Sequence, residues 1–292
     1  MNQLKILLAA VEPSGDAIGA SLMASIRARR PETVFIGCGG AEMAAAGLES
    51  LFDIAPLSVI GLGDVLRAAP AAFERADLIA QAVLREKPDV VVLIDGWAFA
   101  RLVAMRLKKF SPETMLLKLA APQVWASRPG RVKFVKSHFD AVLCLLPFEP
   151  PYFHAAGVKA EFIGNPNFQA AWRARGDSAA FRARHRLGDA PLLAVMLGSR
   201  KTEVRRLWKP FGEAVALLAD RVPGLRVVSA VAPSVERLAR TKLAAFAGDP
   251  VIVGPDEKND AMAAANVGLT ASGTASTELA INRTPMVVGY RL

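Results

Sequence analysis

Three stretches place chemistry-bearing residues directly after apolar runs. DVVVLID (89–95) ends on Asp95, ahead of Gly96 and Trp97. A carboxylate that closes an apolar strand at a cleft can serve as a general base, its pKa tuned by burial. The same position also suits a helix N-cap. LGSRKTEV (197–204) closes another such run. There Gly198 lets backbone approach a ligand, Ser199 follows, and Arg200 sets a fixed positive charge at a helix start, where free N–H groups also receive phosphate. Together they point to anion binding rather than to a surface arginine after a turn. ASGTASTELA (271–280) is the barest of the three. Ser272, Gly273, Thr274, Ala275 and Ser276 present backbone N–H groups and hydroxyls at a helix N-terminus, which carries roughly half a positive charge. That is a cradle for a diphosphate. Glu278, near the end of the first turn, is able to reach back toward a sugar or to close a capping box, and the two roles are compatible.

A fourth stretch, VEPSGDAIGA (11–20), turns through Ser14, Gly15 and Asp16 into a helix. It reads either as a ligand-facing turn or as an N-cap. It is not the G-x-G-x-x-G fingerprint, which removes support for a nicotinamide enzyme. His138, His154 and His185 fall in helix-like or linker stretches, against a Ser-His-Asp triad or a zinc site. No metal and no cofactor are expected.

These residues need strands that end where a ligand can sit. Apolar runs at 4–11, 33–39, 89–95, 114–120, 141–147 and 160–166 alternate with helix-like pieces near 16–29, 71–86, 97–109 and 149–156. The runs are continuous rather than alternating, as in parallel strands covered on both faces. A charged, Ala-rich stretch at 169–190 reads as a linker with a helix. The rhythm then restarts, with strands at 191–198, 225–231, 250–254, 267–272 and 285–290 and helices at 201–220, 234–246, 259–266 and 274–281. The expectation is an α/β chain of two Rossmann-like parallel-sheet halves, residues 1–170 and 171–292, with ligands at the carboxyl ends of the strands. A parallel strand normally hands over to a covering helix, so the second half reads as incomplete at its C-terminus.

The net charge of +9 suits nucleic acid, an anionic membrane or phosphorylated substrates. The basic residues are dispersed and no nucleic-acid motif appears, so phosphate-bearing small molecules and anionic lipid rank first. The start of the chain lacks a signal-peptide pattern, and no apolar run approaches the roughly 20 residues of a membrane span. Cys38 and Cys144 lie in apolar runs and read as buried reduced thiols, as in a cytosolic protein.

Nine strings in order carry a resemblance: EPSGDAIGA (12–20), GCGGAEMAAAGLES (37–50), LSVIGLGDVL (57–66), KPDVVVLID (87–95), APQVWASRPGRVK (121–133), LPFEPPYF (146–153), FIGNP (162–166), LGSRKTEV (197–204) and ASGTASTELA through TPMVVGYR (271–291). In these the chain resembles, along essentially its whole length, the lipid-A-disaccharide synthase family. These are inverting GT-B glycosyltransferases of lipopolysaccharide assembly in Gram-negative bacteria. The resemblance implies two domains facing a cleft, the first on the acceptor and lipid side and the second on the UDP-sugar side. It implies UDP-2,3-diacylglucosamine as donor and 2,3-diacylglucosamine 1-phosphate as acceptor. The products would be a β-1′,6-linked disaccharide and UDP.

By the same resemblance, Asp95 is the base and Arg200 acts on the donor phosphates with Gly198, Ser199 and residues 272–276. Glu278 would contact the ribose, and Glu12, Ser14, Gly15, Asp16, Gln123, Trp125, Arg128 and Asn165 would serve the acceptor side. Leu57–Leu66 would dock on the cytoplasmic face of the inner membrane, making the enzyme peripheral. The chain departs from the family pattern at Val11, Ala98, Ala100, Ser127 and Asn165. The family continues past VVGYR with parts involved in dimer contacts, which implies reduced or no transferase activity for this length of chain. Two other readings remain open. One is another GT-B UDP-sugar enzyme, an epimerase or a transferase to a non-lipid acceptor. The other is a non-catalytic UDP- or lipid-binding remnant.

Overall fold

The computed structural model describes residues 3–57 and 62–290, with residues 62–68 described by backbone alone. Beyond Leu57, the expected docking segment Leu57–Leu66 therefore lies outside the described residues and side chains, as do Arg291 and Leu292. The chain divides into two units, Met1–Pro166 and Asn167–Leu292.

The first unit is a six-stranded parallel sheet: β1 (Lys5–Ala10), β2 (Val34–Cys38), β3 (Val90–Ile94), β4 (Leu116–Leu119), β5 (Ala141–Cys144) and β6 (Lys159–Phe162), in the order β2-β1-β3-β4-β5-β6. Its helices are α1 (Pro13–Arg27), α2 (Ala41–Ala45), α3 (Leu62–Glu86), α4 (Trp97–Phe110), α5 (Arg131–His138) and α6 (Pro150–His154). Alternation of side chains along each strand feeds two cores. Leu7, Ala9, Val91 and Leu93 pack with Ile79 and Val83 of α3 and Val103 and Leu107 of α4. Ile6, Leu8, Ala10, Val92 and Ile94 pack with Ile18 and Met23 of α1.

The connection that follows holds α7 (Pro166–Arg173) and α8 (Ser178–Arg184). Phe181 of α8 is fully buried in the second unit's core, so this part of the expected linker is a packed element. The second sheet has β7 (Leu192–Met196), β8 (Arg226–Ala230), β9 (Val251–Val253), β10 (Val267–Ala271) and β11 (Met286–Gly289), all parallel, in the order β11-β10-β7-β8-β9. Its helices are α9 (Lys201–Ala219), α10 (Glu236–Leu243), α11 (Lys258–Ala264) and α12 (Thr274–Ile281). Leu193 and Val195 face Val204, Leu207, Phe211 and Val215 of α9. Leu192, Ala194 and Met196 face Ala261 and Met262 of α11.

Three helices depart from expectation, α5 because the sequence reading assigns no helix to its stretch. Sequence periodicity starts a helix at residue 71, after the breaker Pro70, but the backbone of α3 begins at Leu62 and runs through that proline. The five-residue α2 carries too short a pattern to read, and a distant carboxylate caps it, as described below.

Both strand orders reverse direction once, between β1 and β3 and between β7 and β10. At such a point neighbouring crossovers leave the sheet on opposite sides, which opens a crevice at the strands' carboxyl ends. The residues that follow β1, β3, β7 and β10 are those singled out above for chemistry.

Candidate functional site

In the second unit a cavity of about 320 Å³ opens at the β7–β10 reversal. Gly198, Ser199 and Arg200 form one part of its wall, and Ser272, Gly273, Thr274, Ala275 and Glu278 another. Ser276 is not on the wall; its hydroxyl donates to the Gly273 carbonyl at 2.7 Å. Met196, Val231, Pro233, Pro255 and Met262 give the cavity an apolar side.

Gly198 has φ +95°, and a Cβ there would stand 2.3 Å from Glu203 Oε2. Glycine is therefore what lets the chain leave β7 under that carboxylate. Glu203 Oε2 accepts from the N–H groups of Ser199 (3.0 Å) and Arg200 (3.1 Å). Its Oε1 accepts from Arg200 Nη1 at 3.0 Å. Arg200 is thus at the start of α9, as expected, but it carries its own carboxylate. Its side chain is 59% exposed, however, and an exposed pair of this kind is worth at most about 1 kcal/mol. A doubly charged diphosphate can compete for it.

Gly273, with φ +149°, precedes α12. No side chain caps this helix. The capping box open to Glu278 is not formed; Lys258 Nζ donates to its Oε1 at 2.6 Å instead. The cavity thus holds two cation–carboxylate pairs, Arg200–Glu203 and Lys258–Glu278, beside the N-terminal turn of α12. Glu203 and Lys258 escaped the sequence reading. Glu203, at the third position of α9, had a local capping signal; Lys258 comes from α11 and had none.

In the first unit, Asp95 and Gly96 have φ values of +52° and +39°, two successive left-handed residues after β3. The alternative of an Asp95 N-cap is not realised: Gly96 occupies that position in α4 and makes no side-chain cap. Ser14 Oγ donates to Asp95 Oδ2 at 2.6 Å. A Cβ on Gly15 would lie 3.2 Å from Asp95 Cβ and 3.3 Å from the Ile94 carbonyl oxygen, so α1 approaches the end of β3 closely only because it carries glycine there. Glu12, beside them, has its pKa raised by desolvation and by the Asp95 charge, with the Lys118 ammonium opposing.

The other acceptor-side residues are placed as follows. Asp16 is buried and accepts from the N–H groups of Gly40 (2.7 Å), Glu42 (2.9 Å) and Met43 (3.1 Å). Its carboxylate caps α2, which accounts for its presence without a ligand. Gln123, Trp125 and Arg128 are exposed on the loop between β4 and α5. The Trp125 indole N–H donates to Glu149 Oε1 at 3.3 Å, and its ring meets Phe148 edge-on at 5.1 Å. Asn165, half-buried, follows β6. Among the described contacts, Gln123, Trp125 and Arg128 have none with Asp95.

The chain's residues 6–292 match the family model described as lipid-A-disaccharide synthetase. It is 42% identical over 298 residues to the lipid-A-disaccharide synthase of Rhodospirillum centenum, covering 100% of this chain and 73% of that one. With the enzyme of the same name from Ruegeria pomeroyi the identity is 41%, over 99% and 74% of the two chains. Among solved structures it is similar to the UDP-GlcNAc 2-epimerase of Neisseria meningitidis, solved with UDP-GlcNAc, at TM-score 0.62 and 12% identity over 98% and 82% of the chains. It is similar also to MurG of Acinetobacter baumannii, at TM-score 0.56 and 13% identity over 98% and 86%. These structural likenesses show the fold, two parallel-sheet α/β units of the GT-B class. The sequence match goes further, and by it the chain belongs to the lipid-A-disaccharide synthetase family.

Proposed function

We propose that the chain transfers a diacylglucosaminyl group from UDP-2,3-diacylglucosamine to 2,3-diacylglucosamine 1-phosphate. Asp95 takes the proton of the acceptor 6-hydroxyl as that oxygen attacks the anomeric carbon of the donor. The C1–O bond to UDP breaks, and inversion at C1 gives the β-1′,6 linkage. Ser14 holds one carboxylate oxygen, which leaves the other to meet the acceptor. The leaving diphosphate gathers charge as the bond breaks. The first-turn N–H groups of α12 and the Arg200 guanidinium are fixed where that charge develops, a form of stabilisation that needs no metal. Glu278 receives the ribose hydroxyls, and the apolar wall of Pro233 and Pro255 takes the uracil.

The observation that carries this reading is the shared wall of Gly198–Arg200 and Ser272–Ala275 around one cavity. It unites an uncapped helix N-terminus with a cation that a diphosphate can recruit.

Diacylated substrates reside in a membrane, so the enzyme meets them peripherally, at the cytoplasmic face of the inner membrane. Among the described residues no helix is long and apolar enough to cross one. The charge of +9 suits an anionic surface. Phe148, Tyr152, Phe162 and Ile163, all exposed and all from α6, the end of β6 or the adjoining loops, supply apolar contact.

The test supplies both lipids in detergent. Disaccharide 1-phosphate and UDP appearing one for one supports the reading. UDP released without disaccharide, or a donor sugar epimerised in place, contradicts it.

A further inference from the structure

TMLLKLA puts a lysine inside a strand covered on both faces, and Lys118 is 1% exposed. An ammonium so buried is costly unless its donors are satisfied. Nζ donates to the carbonyls of Leu119 (2.7 Å), Ala120 (2.9 Å) and Leu93 (3.4 Å). All three belong to the carboxyl ends of β3 and β4. The Leu119 carbonyl also accepts from the Asp95 N–H at 3.0 Å, so the ammonium and the Asp95 peptide meet at one oxygen. Ala120 and Asp95 both have positive φ, +61° and +52°, a conformation that persists only where its surroundings enforce it.

The charges acting on Lys118 are Asp95, from the end of β3, and Glu12, from the β1–α1 junction. On β5, the thiol of Cys144 is pushed up to about 12 by burial and stays neutral. Burial pushes Lys118 down to about 8, and the two carboxylates pull against that.

We propose that Lys118 is a positioning residue for the transfer: a buried cation that ties the ends of β3 and β4 around Asp95 and holds Glu12 and Asp95 as a charged pair. The neutral carbonyls take its hydrogen bonds, which leaves its charge to the two acids. It touches no substrate. This rests on the reading of Asp95 as the base, and it makes β4 part of the reaction machinery.

Two measurements test it on the full chain. NMR titration of the lysine ε-carbons gives the Lys118 midpoint in the wild type, in Asp95→Asn and in Glu12→Gln. The expected result is a midpoint near 8 in the wild type and a lower one in each variant, because each removes an anion that supports the ammonium. A midpoint unmoved in both variants overturns the proposal. Kinetics of Lys118→Met, close in length but without charge, give the second readout. Glu12 and the base Asp95 lose the cation they share, so the acidic limb of the kcat/KM profile, which reports the coupled pair, moves to higher pH by about 1 unit. The donor KM stays within about twofold, because the donor cavity is built by the other unit. A uniform loss of kcat with an unmoved limb marks a merely structural lysine and overturns the proposal. If Lys118→Met does not fold, the NMR titrations decide alone. Full turnover by Asp95→Asn would instead overturn the base reading, and the NMR coupling would still report on Lys118 by itself.

Discussion

At the scale of the residue, the first unit gathers two carboxylates, Glu12 and Asp95, at the ends of β1 and β3. Glu12 carries the cost: burial first, then the Asp95 charge, raise its pKa above the ordinary 4.5. A carboxyl that binds its proton more tightly in the folded state lowers stability as pH rises through the ordinary value, and the loss is complete above the folded-state value. Glu12→Gln removes that loss. Its Tm should exceed that of the wild type at pH 7, on the order of 1–2 °C for a group this exposed. The two should converge as pH falls toward about 4, where Glu12 is protonated in both states. Thermal melts across that range check it; equal curves at every pH would remove the electrostatic account of this corner. Asp16, one turn further along α1, has the opposite character. Three backbone N–H groups satisfy it, and it belongs to the scaffold of α2 rather than to the strand ends.

At the scale of the element, each strand end is set by what the next turn allows. Gly198 is the clearest case: its φ of +95° disfavours any side chain, and a Cβ would stand only 2.3 Å from Glu203 Oε2. Gly198→Ala should cost about 1–3 kcal/mol of stability from the backbone term alone. It should also push Glu203 aside, release the start of α9 and weaken UDP binding about tenfold, readable by calorimetry. Unchanged UDP affinity would separate Arg200 from the diphosphate. The strands that lead to these turns were legible because a parallel strand buried on both faces is a continuous apolar run, as in VVVLI and LLAVM. The turns were legible because a bare Gly-Ser-Thr junction before a helix has few other uses. Elements held by distant groups were not. α2 depends on a carboxylate from α1, and α3 continues through Pro70 against local preference. Lys118, a charge inside the apolar run TMLLKLA, was passed over. Its meaning comes only from the carbonyls and acids that the sheet brings to it.

At the scale of the whole molecule, the same device occurs twice. Each parallel sheet reverses its strand order once, and at each reversal the first strand of the unit and a later neighbour deliver the candidate residues. One reversal gathers acids, a serine and a buried lysine. The other gathers an uncapped helix N-terminus, two cation–carboxylate pairs and an apolar wall. The proposed reaction places proton removal in one unit and leaving-group stabilisation in the other. The pairing of Lys258 with Glu278 needed the fold, since the two come from different helices; that of Arg200 with Glu203, three residues apart, had a local signal.

The most direct test of this division is Asp95→Asn, measured for both UDP affinity and disaccharide formation. The substitution keeps the size and the Ser14 contact while removing the base. The expected result is a UDP Kd like that of the wild type, with kcat lower by about 10²–10⁴-fold. Transfer at the wild-type rate with UDP still bound would contradict the account at its centre.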